Sequence, residues 1–370
     1  MMKSHSRNLL ILFCLIVFGA AIRLYNLGAY TYHVDEQFTI ELIGKPFLDV
    51  LVFGLSRDCN PPLFYLIDWV SVRMFGFTAF AQRLPAAIFG VLVIPAVYLL
   101  GKEYRNETAG LLAAGVVTII GSMWYYSQFG RAYSMVTFLF VLLMVVFIRI
   151  CRGEEDDPLP SSYGESGRVV STKTWLIYGA LASLCVWTHL YSLVPIGFMG
   201  LYLFYKYRWE SIIKPLVTYL PVLAMAGTFY AIRTERGNIM QGWMGNTVQQ
   251  LLQFTLLEYF TYSVALFMTL IMLSLWMNRE DEITCAMVAI WICSFVAQIV
   301  MSQITPVFAR YTIMLVPVLV AVAVEPVMRF IESEEPTPAQ KNFALFVLSG
   351  MFIAITAFQY LAGCFEGRQL

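Results

Sequence analysis

The stretch PPLFYLIDWVSVRMFGF, residues 61–77, decides how this chain is arranged in space. It is apolar enough to suggest a helix that crosses a bilayer, but Asp68 and Arg73 lie in its middle. A charged side chain at the centre of a bilayer costs about 2.5–3.5 kcal/mol on insertion scales. Trp69 and Phe75 are residue types that anchor a helix at the membrane–water interface. We therefore predict a helix that lies in the membrane surface and does not span it.

The rest of the chain has the composition of a membrane protein. Hydrophobic residues make up 59% of its 370 residues and charged residues only 13%, and the mean hydropathy is +0.70. Apolar runs long enough to cross a bilayer recur along the whole chain. We predict an all-α polytopic membrane protein with about eleven transmembrane helices. The predicted spans are 8–23, 80–101, 108–128, 132–150, 174–192, 194–207, 212–232, 259–277, 283–302, 307–330 and 342–362.

The distribution of lysines agrees with a surface helix at 61–77. If this segment does not span and the N-terminus is cytoplasmic, six of the seven lysines are cytoplasmic and only Lys45 is outside. Cytoplasmic loops are enriched in Lys and Arg, so this topology is favoured. Residues 24–79 then form the first extracytoplasmic loop, and the acidic, Pro- and Ser-rich residues 151–173 form a flexible cytoplasmic loop. We expect residues 1–370 to be a single transmembrane domain without a separate soluble domain.

This topology collects polar and aromatic residues on the extracytoplasmic side. Asp35 and Glu36 are adjacent carboxylates directly after the first span, where they are costly to desolvate without a partner or a task. Arginine is favoured over lysine on this face, and its planar guanidinium binds phosphate oxygens through paired hydrogen bonds. Carboxylates, arginines and aromatic residues on one face are suited to binding a lipid-linked phosphate and a sugar. The other candidate site residues are His33, Arg57, Asp58, Arg131, Tyr133, His189, Arg233, Arg310 and Tyr311.

Each of these residues also has a structural interpretation. The carboxylates can form salt bridges with the outer arginines, and Arg131 and Arg310 can anchor helix ends at the interface. His189 can be a satisfied histidine at a helix end, and Arg233 can contact lipid headgroups. The seven cysteines show no Cys-x-x-Cys spacing, so neither a structural zinc site nor a disulfide framework is expected. Nothing in the sequence requires a metal, although an acidic pair can hold a divalent ion.

A series of short motifs runs along the first half of the chain. In order they are Asp35-Glu36, Asn60-Pro61-Pro62-Leu63-Phe64-Tyr65, Phe75-Gly76, Arg83-Leu84-Pro85, Gly101-Lys102, Tyr125-Tyr126-Ser127 and Arg131-Ala132-Tyr133. This order resembles the GT-C membrane glycosyltransferases, specifically the branch of protein O-mannosyltransferases and lipid A aminoarabinose transferases. The resemblance is dense over residues 20–150. Beyond them, only Arg310-Tyr311 before an apolar span is similar to the family.

The resemblance implies transfer of a hexose or pentose from a dolichyl- or undecaprenyl-phosphate donor. It also implies an extracytoplasmic reaction, inversion at the anomeric carbon, and surface helices in the first outer loop. Asp35 matches the family's catalytic acid, which acts as the base on the acceptor hydroxyl, and Glu36 matches its companion. The arginines Arg131, Arg310 and Arg233 are the candidates for donor phosphate binding. Some relatives carry a further acidic residue in the second outer loop, but residues 127–134 contain none, which leaves the acceptor class open.

A membrane transporter or flippase of lipid-linked or small anionic substrates is the alternative to an enzyme. Such transporters often carry inverted repeats and polar residues at mid-membrane depth. No repeat is visible here, and the candidate residues collect at one face, which favours the enzyme. The formal net charge of zero gives no indication of nucleic-acid binding. We therefore predict a glycosyltransferase whose partners are the lipid-linked donor, a glycan, lipid or protein acceptor, and membrane lipids, with no cofactor required.

Overall fold

The fold is described by a computed structural model over residues 4–56, 60–153, 170–207, 213–234, 245–260 and 264–332. Within these ranges all regular secondary structure is helical, as predicted. The α-helices are α1 (Ser4–Leu24), α2 (Val34–Ile43), α3 (Phe47–Ser56), α4 (Leu63–Phe75), α5 (Ala79–Tyr104), α6 (Glu107–Ile119), α7 (Gly121–Ser127), α8 (Tyr133–Arg152), α9 (Thr172–Thr188), α10 (Leu193–Tyr207), α11 (Ile213–Thr234), α12 (Val248–Phe260), α13 (Val264–Met277), α14 (Glu282–Met301), α15 (Val316–Ala323) and α16 (Glu325–Glu332). Short 3-10 segments at Leu190–Ser192 and Ala309–Leu315 precede α10 and α15.

Several of these helices are suited to a membrane. Among the described residues, 5 helices are long and apolar enough to cross one, or 6 if the bent pair α6 and α7 counts as one span. The five are α1, α5, α8, α14 and the continuous stretch Ala309–Glu332. They coincide with the predicted spans 8–23, 80–101, 132–150, 283–302 and 307–330. The chain is an integral membrane protein, and the total of about eleven spans stays a prediction. The predicted span 342–362 lies outside the described residues.

Helix α5 is the longest α-helix in the described part of the chain. Its 26 residues extend about 39 Å at 1.5 Å per residue. The Thr78 side chain caps its start by accepting a hydrogen bond from the Ala81 amide at 3.2 Å. Near its far end α5 meets α6 so closely that a Cβ atom on Gly110 would lie 2.4 Å from the Tyr98 carbonyl oxygen. Glycine at that position therefore permits the close packing of the two helices.

Helices α2 to α4 form a layer at one end of α5. The segment that follows α1 lies beside the start of α5. The Arg83 guanidinium, near the start of α5, holds the two together by donating to backbone carbonyls just after α1. These are the carbonyls of Leu27, Tyr30 and Thr31, at 3.1–3.2 Å. Helix α4 contains 13 residues, about 20 Å at 1.5 Å per residue. It covers most of the predicted surface helix, whose orientation in a membrane stays a prediction.

The charged residues of α4 have different surroundings. The Arg73 side chain is exposed, and its guanidinium carbon lies 4.9 Å from the centre of the Trp69 ring. Asp68 is fully buried, because this face of α4 packs against the first turn of α5. Ser71 on the same face donates to the Ala81 carbonyl at 2.6 Å. The polar cluster that suggested a surface helix is therefore partly an interior contact.

A sharp bend separates α6 from α7. The two helices meet at 62°, and Ile120 between them has extended backbone angles. The bend releases carbonyls that a continuous helix would pair with amides four residues later. Arg23 at the end of α1 is fully buried and donates to two of them, those of Val117 and Thr118, at 3.1 Å each. The arginine thus stabilises the bend that leads into the second outer loop.

A second polar cluster occupies the opposite end of α5. The Glu325 carboxylate is fully buried and accepts hydrogen bonds from the Asn278 side-chain amide and from Arg329 Nε, both at 2.6 Å. Arg105, directly after α5, has its Nε atom 3.6 Å from Glu325 Oε1. Buried charges need such partners. This cluster joins α5, α13 and α16 at the end that is farthest from α2.

Candidate active site

The site begins with the first turn of α2. His33 is the N-cap residue, and its Nδ1 atom accepts a hydrogen bond from the Asp35 amide at 3.2 Å. In return the Glu36 carboxylate accepts one from the His33 amide at 3.0 Å. This reciprocal capping is a strong helix-start signal, and carboxylates in a first turn are favoured by the helix dipole. Consecutive helical residues point about 100° apart, so the two carboxylates face different partners.

Glu36 is turned toward the interior of the protein. It is 1% exposed and accepts hydrogen bonds from Nε and Nη2 of Arg83, both at 2.8 Å. It also accepts one from the Gly130 amide at 2.8 Å. A bidentate arginine–carboxylate pair is the strongest and most directional kind of salt bridge. Glu36 therefore fixes α2 to the start of α5 and to the loop before α8.

Asp35 is turned toward Arg310, 275 residues further along the chain. Arg310 Nη2 donates to Asp35 Oδ2 at 2.9 Å, and Arg310 Nε donates to the Tyr133 hydroxyl at 2.8 Å. The guanidinium carbon lies 4.4 Å from the centre of the Phe308 ring. The Asp35 and Arg310 side chains keep exposed fractions of 11% and 23%, so this ion pair is partly accessible, unlike that of Glu36.

Arg131 contacts the backbone of Asp35. Its Nη1 atom donates to the Asp35 backbone carbonyl at 3.2 Å and to Thr39 Oγ1 at 2.8 Å. Its guanidinium carbon is 5.6 Å from the centre of the Tyr65 ring of α4. Thr39 is one helical turn after Asp35, which puts both on one face of α2. Arg131 thus joins the face of α2 that carries Asp35 to the start of α8.

Aromatic rings line the site on the side of Arg310. The His189 ring centre lies 5.6 Å from that of Tyr133 and 5.1 Å from that of Tyr311. His189 is 3% exposed, and neither of its ring nitrogens has a hydrogen-bond partner. Burial in apolar surroundings disfavours the charged form of an imidazole. The imidazole is therefore neutral near neutral pH.

A third carboxyl group lies behind Glu36. Asp68 Oδ2 is 3.4 Å from Gln82 Nε2, and the same nitrogen donates to the Gly130 carbonyl at 2.8 Å. Asp68 Oδ1 has no hydrogen-bond partner. Burial raises the pKa of Asp68 well above its ordinary value. A Cβ atom on Gly130 would lie 2.1 Å from Gln82 Nε2, so a larger residue there would displace the Gln82 amide.

The structure brings most of the predicted site residues together. The assembled residues are His33, Asp35, Glu36, Arg131, Tyr133, His189, Arg310 and Tyr311. His33 joins them through its Nδ1 atom, 3.9 Å from Asp35 Oδ2. Arg57 and Asp58 lie outside the described residues, as does the side chain of Arg233 near the end of α11. In the part of the chain that the structure describes, no group of three His, Cys, Asp or Glu residues is arranged to hold a metal ion.

Sequence reasoning did not assign four contributors to the site: Thr39, Asp68, Gln82 and Arg83. Thr39 follows Asp35 by four positions, a spacing that marks one face of a helix. Arg83 belongs to the motif Arg83-Leu84-Pro85, but the sequence did not indicate a role for it in the site. Nothing in the sequence distinguishes the buried Asp68 from an interfacial one.

Part of this site lies within a stretch that matches a known family. Residues 59–159 match the family model described as dolichyl-phosphate-mannose-protein mannosyltransferase. Over 167 residues the chain is 29% identical to dolichyl-phosphooligosaccharide-protein glycotransferase 2 of Archaeoglobus fulgidus, a match that covers 40% of this chain and 28% of that protein. The sequence similarity therefore includes α4, α5 and the loop that carries Gly130 and Arg131.

Solved structures share the fold over nearly the whole chain. ArnT from Cupriavidus metallidurans bound to undecaprenyl phosphate has a TM-score of 0.65 at 13% identity, over 94% of this chain and 63% of that one. The oligosaccharyltransferase AglB from Archaeoglobus fulgidus, in complex with an inhibitory peptide and a dolichol-phosphate, has a TM-score of 0.57 at 14% identity, over 95% and 55%. The chain thus spans less than two thirds of the length of these relatives. The predicted resemblance to the GT-C membrane glycosyltransferases is confirmed, by fold over most of the chain and by family sequence over residues 59–159.

Proposed function

We propose that this protein transfers a sugar from a polyprenyl-phosphate donor to an acceptor hydroxyl on the extracytoplasmic side of the membrane. The observation that carries the proposal is the partly accessible ion pair between Asp35 and Arg310, at 2.9 Å. A positioned carboxylate can take the proton of an attacking hydroxyl. An arginine can stabilise the phosphate that leaves. The reaction needs both groups within one sugar's width of each other.

The proposed reaction is a single displacement. The acceptor oxygen attacks the anomeric carbon on the face opposite the phosphate, and its proton passes to the Asp35 carboxylate. The bond between the anomeric carbon and the phosphate oxygen breaks, and its electron pair leaves with the phosphate. Arg310 and Arg131 stabilise the negative charge that develops there. One displacement inverts the configuration at the anomeric carbon, and it needs no second nucleophilic carboxylate.

The charges of the site support an anionic donor. Arg83, Arg131 and Arg310 exceed the carboxylates of Asp35 and Glu36 by one positive charge. A sugar linked to a polyprenyl phosphate is a phosphodiester with one negative charge, so its binding neutralises the site. An excess of positive charge in a largely buried site favours an anionic ligand, and the donor phosphate is such an anion.

The relatives support the same donor class. The ArnT structure holds undecaprenyl phosphate, and the AglB structure holds a dolichol-phosphate. Both ligands are polyprenyl phosphates, the leaving group of the proposed reaction. The acceptor of this chain is a hydroxyl of a glycan, a lipid or a protein, and the transferred sugar is a hexose or a pentose.

In this proposal Glu36 is a positioning residue and does not contact the substrate. Its carboxylate receives four hydrogen bonds, from Arg83 (two), Gly130 and the His33 amide, which satisfy it without a substrate. The residue anchors the turn that presents Asp35. Loss of Glu36 is expected to lower the rate by displacing Asp35, while loss of Asp35 removes the base itself.

The Asp35→Asn variant tests the proposal. Asparagine keeps the shape of the side chain but cannot accept the proton, and removal of a positioned base costs about 10²–10⁴-fold in rate. Purified protein would be assayed with polyprenyl-phosphate-linked hexoses and pentoses, and binding of polyprenyl phosphate would be measured in parallel. We expect transfer to be nearly abolished and polyprenyl phosphate to remain bound. Asp49→Asn, an exposed carboxylate on α3, is the matched control. Wild-type transfer by Asp35→Asn would refute the assignment.

A further inference from the structure

His189 is a buried polar side chain without a hydrogen-bond partner. It is 3% exposed, and both of its ring nitrogens lack a partner. Nearly all buried polar groups in native proteins are paired, so an exception calls for an explanation. The imidazole follows the last residue of α9, where its backbone amide still bonds to the Cys185 carbonyl at 2.9 Å. The backbone is thus satisfied and the side chain is not.

One side chain, that of Tyr133, connects His189 to the ion pair of the proposed reaction. The His189 ring packs against Tyr133, whose hydroxyl accepts a hydrogen bond from Arg310. On its other side it packs against Tyr311, the residue after Arg310. Tyr191 extends the same aromatic surface, with its ring centre 5.9 Å from that of Tyr311. Flat aromatic faces of this kind are suited to the apolar C–H faces of a sugar ring.

The protonation state of His189 limits what it can bind. Burial in apolar surroundings favours the neutral imidazole. A neutral imidazole has one N–H donor and one nitrogen acceptor. A phosphate ester that is ionised only accepts hydrogen bonds and can satisfy one of the two nitrogens. Sugar hydroxyls both donate and accept, so a sugar can satisfy both.

We propose that His189 binds hydroxyl groups of the transferred sugar and selects which sugar is accepted. The inference rests on the proposed function, and it divides the substrate between two parts of the site. The arginines hold the phosphate, and His189, between Tyr133 and Tyr311, recognises the uncharged sugar. A buried polar group that the correct substrate satisfies also rejects analogues that lack the matching hydroxyl, because it is then left unpaired.

The test compares His189→Gln and His189→Leu with the wild type. A panel of farnesyl-phosphate-linked hexoses and pentoses first identifies the sugar that the wild type transfers best. Glutamine retains a neutral donor and acceptor, and leucine removes both. For the preferred sugar we expect kcat/KM to fall about 10-fold or more in His189→Leu and clearly less in His189→Gln. The affinity for farnesyl phosphate, which carries no sugar, should be unchanged in both. Cys185→Ala, a buried substitution one turn earlier in α9, controls for disturbance of the helix end.

Deoxy analogues of the preferred sugar make the test specific. The wild type should lose activity with the analogue that lacks the hydroxyl bound by His189, and His189→Leu should no longer distinguish this analogue from the parent sugar. A structural role would lower activity with every donor equally and would leave that discrimination intact.

Each other outcome has a defined meaning. Equal activity of His189→Leu and the wild type would overturn the inference and leave the proposed function standing. A loss of farnesyl phosphate affinity as large as the loss of transfer would assign His189 to the phosphate and also overturn it. If the wild type transferred none of the sugars, the proposed function would fail and this inference with it.

Discussion

At the scale of residues, two adjacent carboxylates differ because α2 turns their side chains apart. Glu36 meets Arg83 in the interior and is saturated by hydrogen bonds. Asp35 meets Arg310 at a partly accessible position. A base must be able to reach the substrate, and a positioning residue must not move. The first turn of one helix therefore provides both kinds of carboxylate.

Arg310 makes two contacts in different directions, and this predicts how its variants behave. The guanidinium reaches Asp35 and Tyr133 at once, which the single ammonium group of lysine cannot reproduce. We expect Arg310→Ala to weaken binding of a polyprenyl-phosphate donor by about 10- to 100-fold, the range for hydrogen bonds to charged groups. Arg310→Lys should restore only part of the affinity. Donor titration would measure both, with the exposed Arg73→Ala of α4 as control. Unchanged affinity in Arg310→Ala would remove this residue from the phosphate site.

Asp68 predicts a pH dependence of stability. Its pKa in the folded protein is raised, so the folded state keeps a proton that the unfolded chain releases near the ordinary pKa of about 4. The contribution of Asp68 to the free energy of unfolding is then highest below that pH. It falls by up to about 1.4 kcal/mol per pH unit as the pH rises through the window up to the folded pKa. Asp68→Asn does not titrate, so we expect its stability relative to the wild type to increase from about pH 5 to about pH 7.

Thermal unfolding in detergent at several pH values would measure this difference. The exposed Asp49→Asn of the same layer should show no such trend. A gap between Asp68→Asn and the wild type that stays constant or narrows with rising pH would mean that Asp68 is ionised in the folded protein.

At the scale of elements, the second outer loop is held by contacts from α1. Arg23 pairs with carbonyls at the bend between α6 and α7. The Gln128 side chain, just after α7, donates to the carbonyls of Ile22, Arg23 and Tyr25. The loop that carries Gly130 and Arg131 follows directly. The end of the first helix thus sets the position of residues that contact the Glu36 carboxylate and the Asp35 backbone carbonyl.

Arg23→Met tests this arrangement. Methionine retains the apolar stem but leaves the carbonyls of Val117 and Thr118 without their donors, at a cost of about 1–3 kcal/mol for each buried group. We expect a lower unfolding temperature in detergent and a reduced rate of transfer. Arg7→Met, an exposed arginine on the same helix, should change neither. Unaltered stability in Arg23→Met would mean that the bend holds without this contact.

At the scale of the whole molecule, the charged groups are divided between two ends. The site surrounds the start of α5. The cluster around Glu325 surrounds its end, about 33 Å away at 1.5 Å per residue from Arg83 to Arg105. Lys102 pairs with Glu107, and Lys206 pairs with Glu282 at the start of α14. Both lysines therefore lie at the end opposite the site, which agrees with the lysine pattern that predicted the topology.

Accessibility labelling would establish which end faces outward. In a cysteine-free background, Lys45→Cys reports on the loop between α2 and α3, and Glu280→Cys reports on the turn before α14. Both positions are exposed. We expect an impermeant thiol reagent to label Lys45→Cys in intact cells and Glu280→Cys only after permeabilisation, because cytoplasmic loops carry the lysine excess. Labelling of both from one side would contradict the topology.

The membrane class, the long apolar helices and most of the residues that meet at the site could be predicted from the sequence. These properties follow from composition, from the length of apolar runs and from short motifs, all of which are local along the chain. The start of α2 is local as well, since capping by His33 and Glu36 needs only four consecutive residues.

The pairing of the charged residues could not be predicted from the sequence and is seen in the fold. Asp35 pairs with Arg310 and Glu36 with Arg83, and a rotation of about 100° along α2 separates these choices. The burial of Asp68 could not be predicted from the sequence either, because a polar face on a short helix can contact either water or another helix. The physical reason is the same in each case. A sequence specifies the chemistry of a side chain and its face on a helix, whereas the partner of that face depends on how distant helices pack.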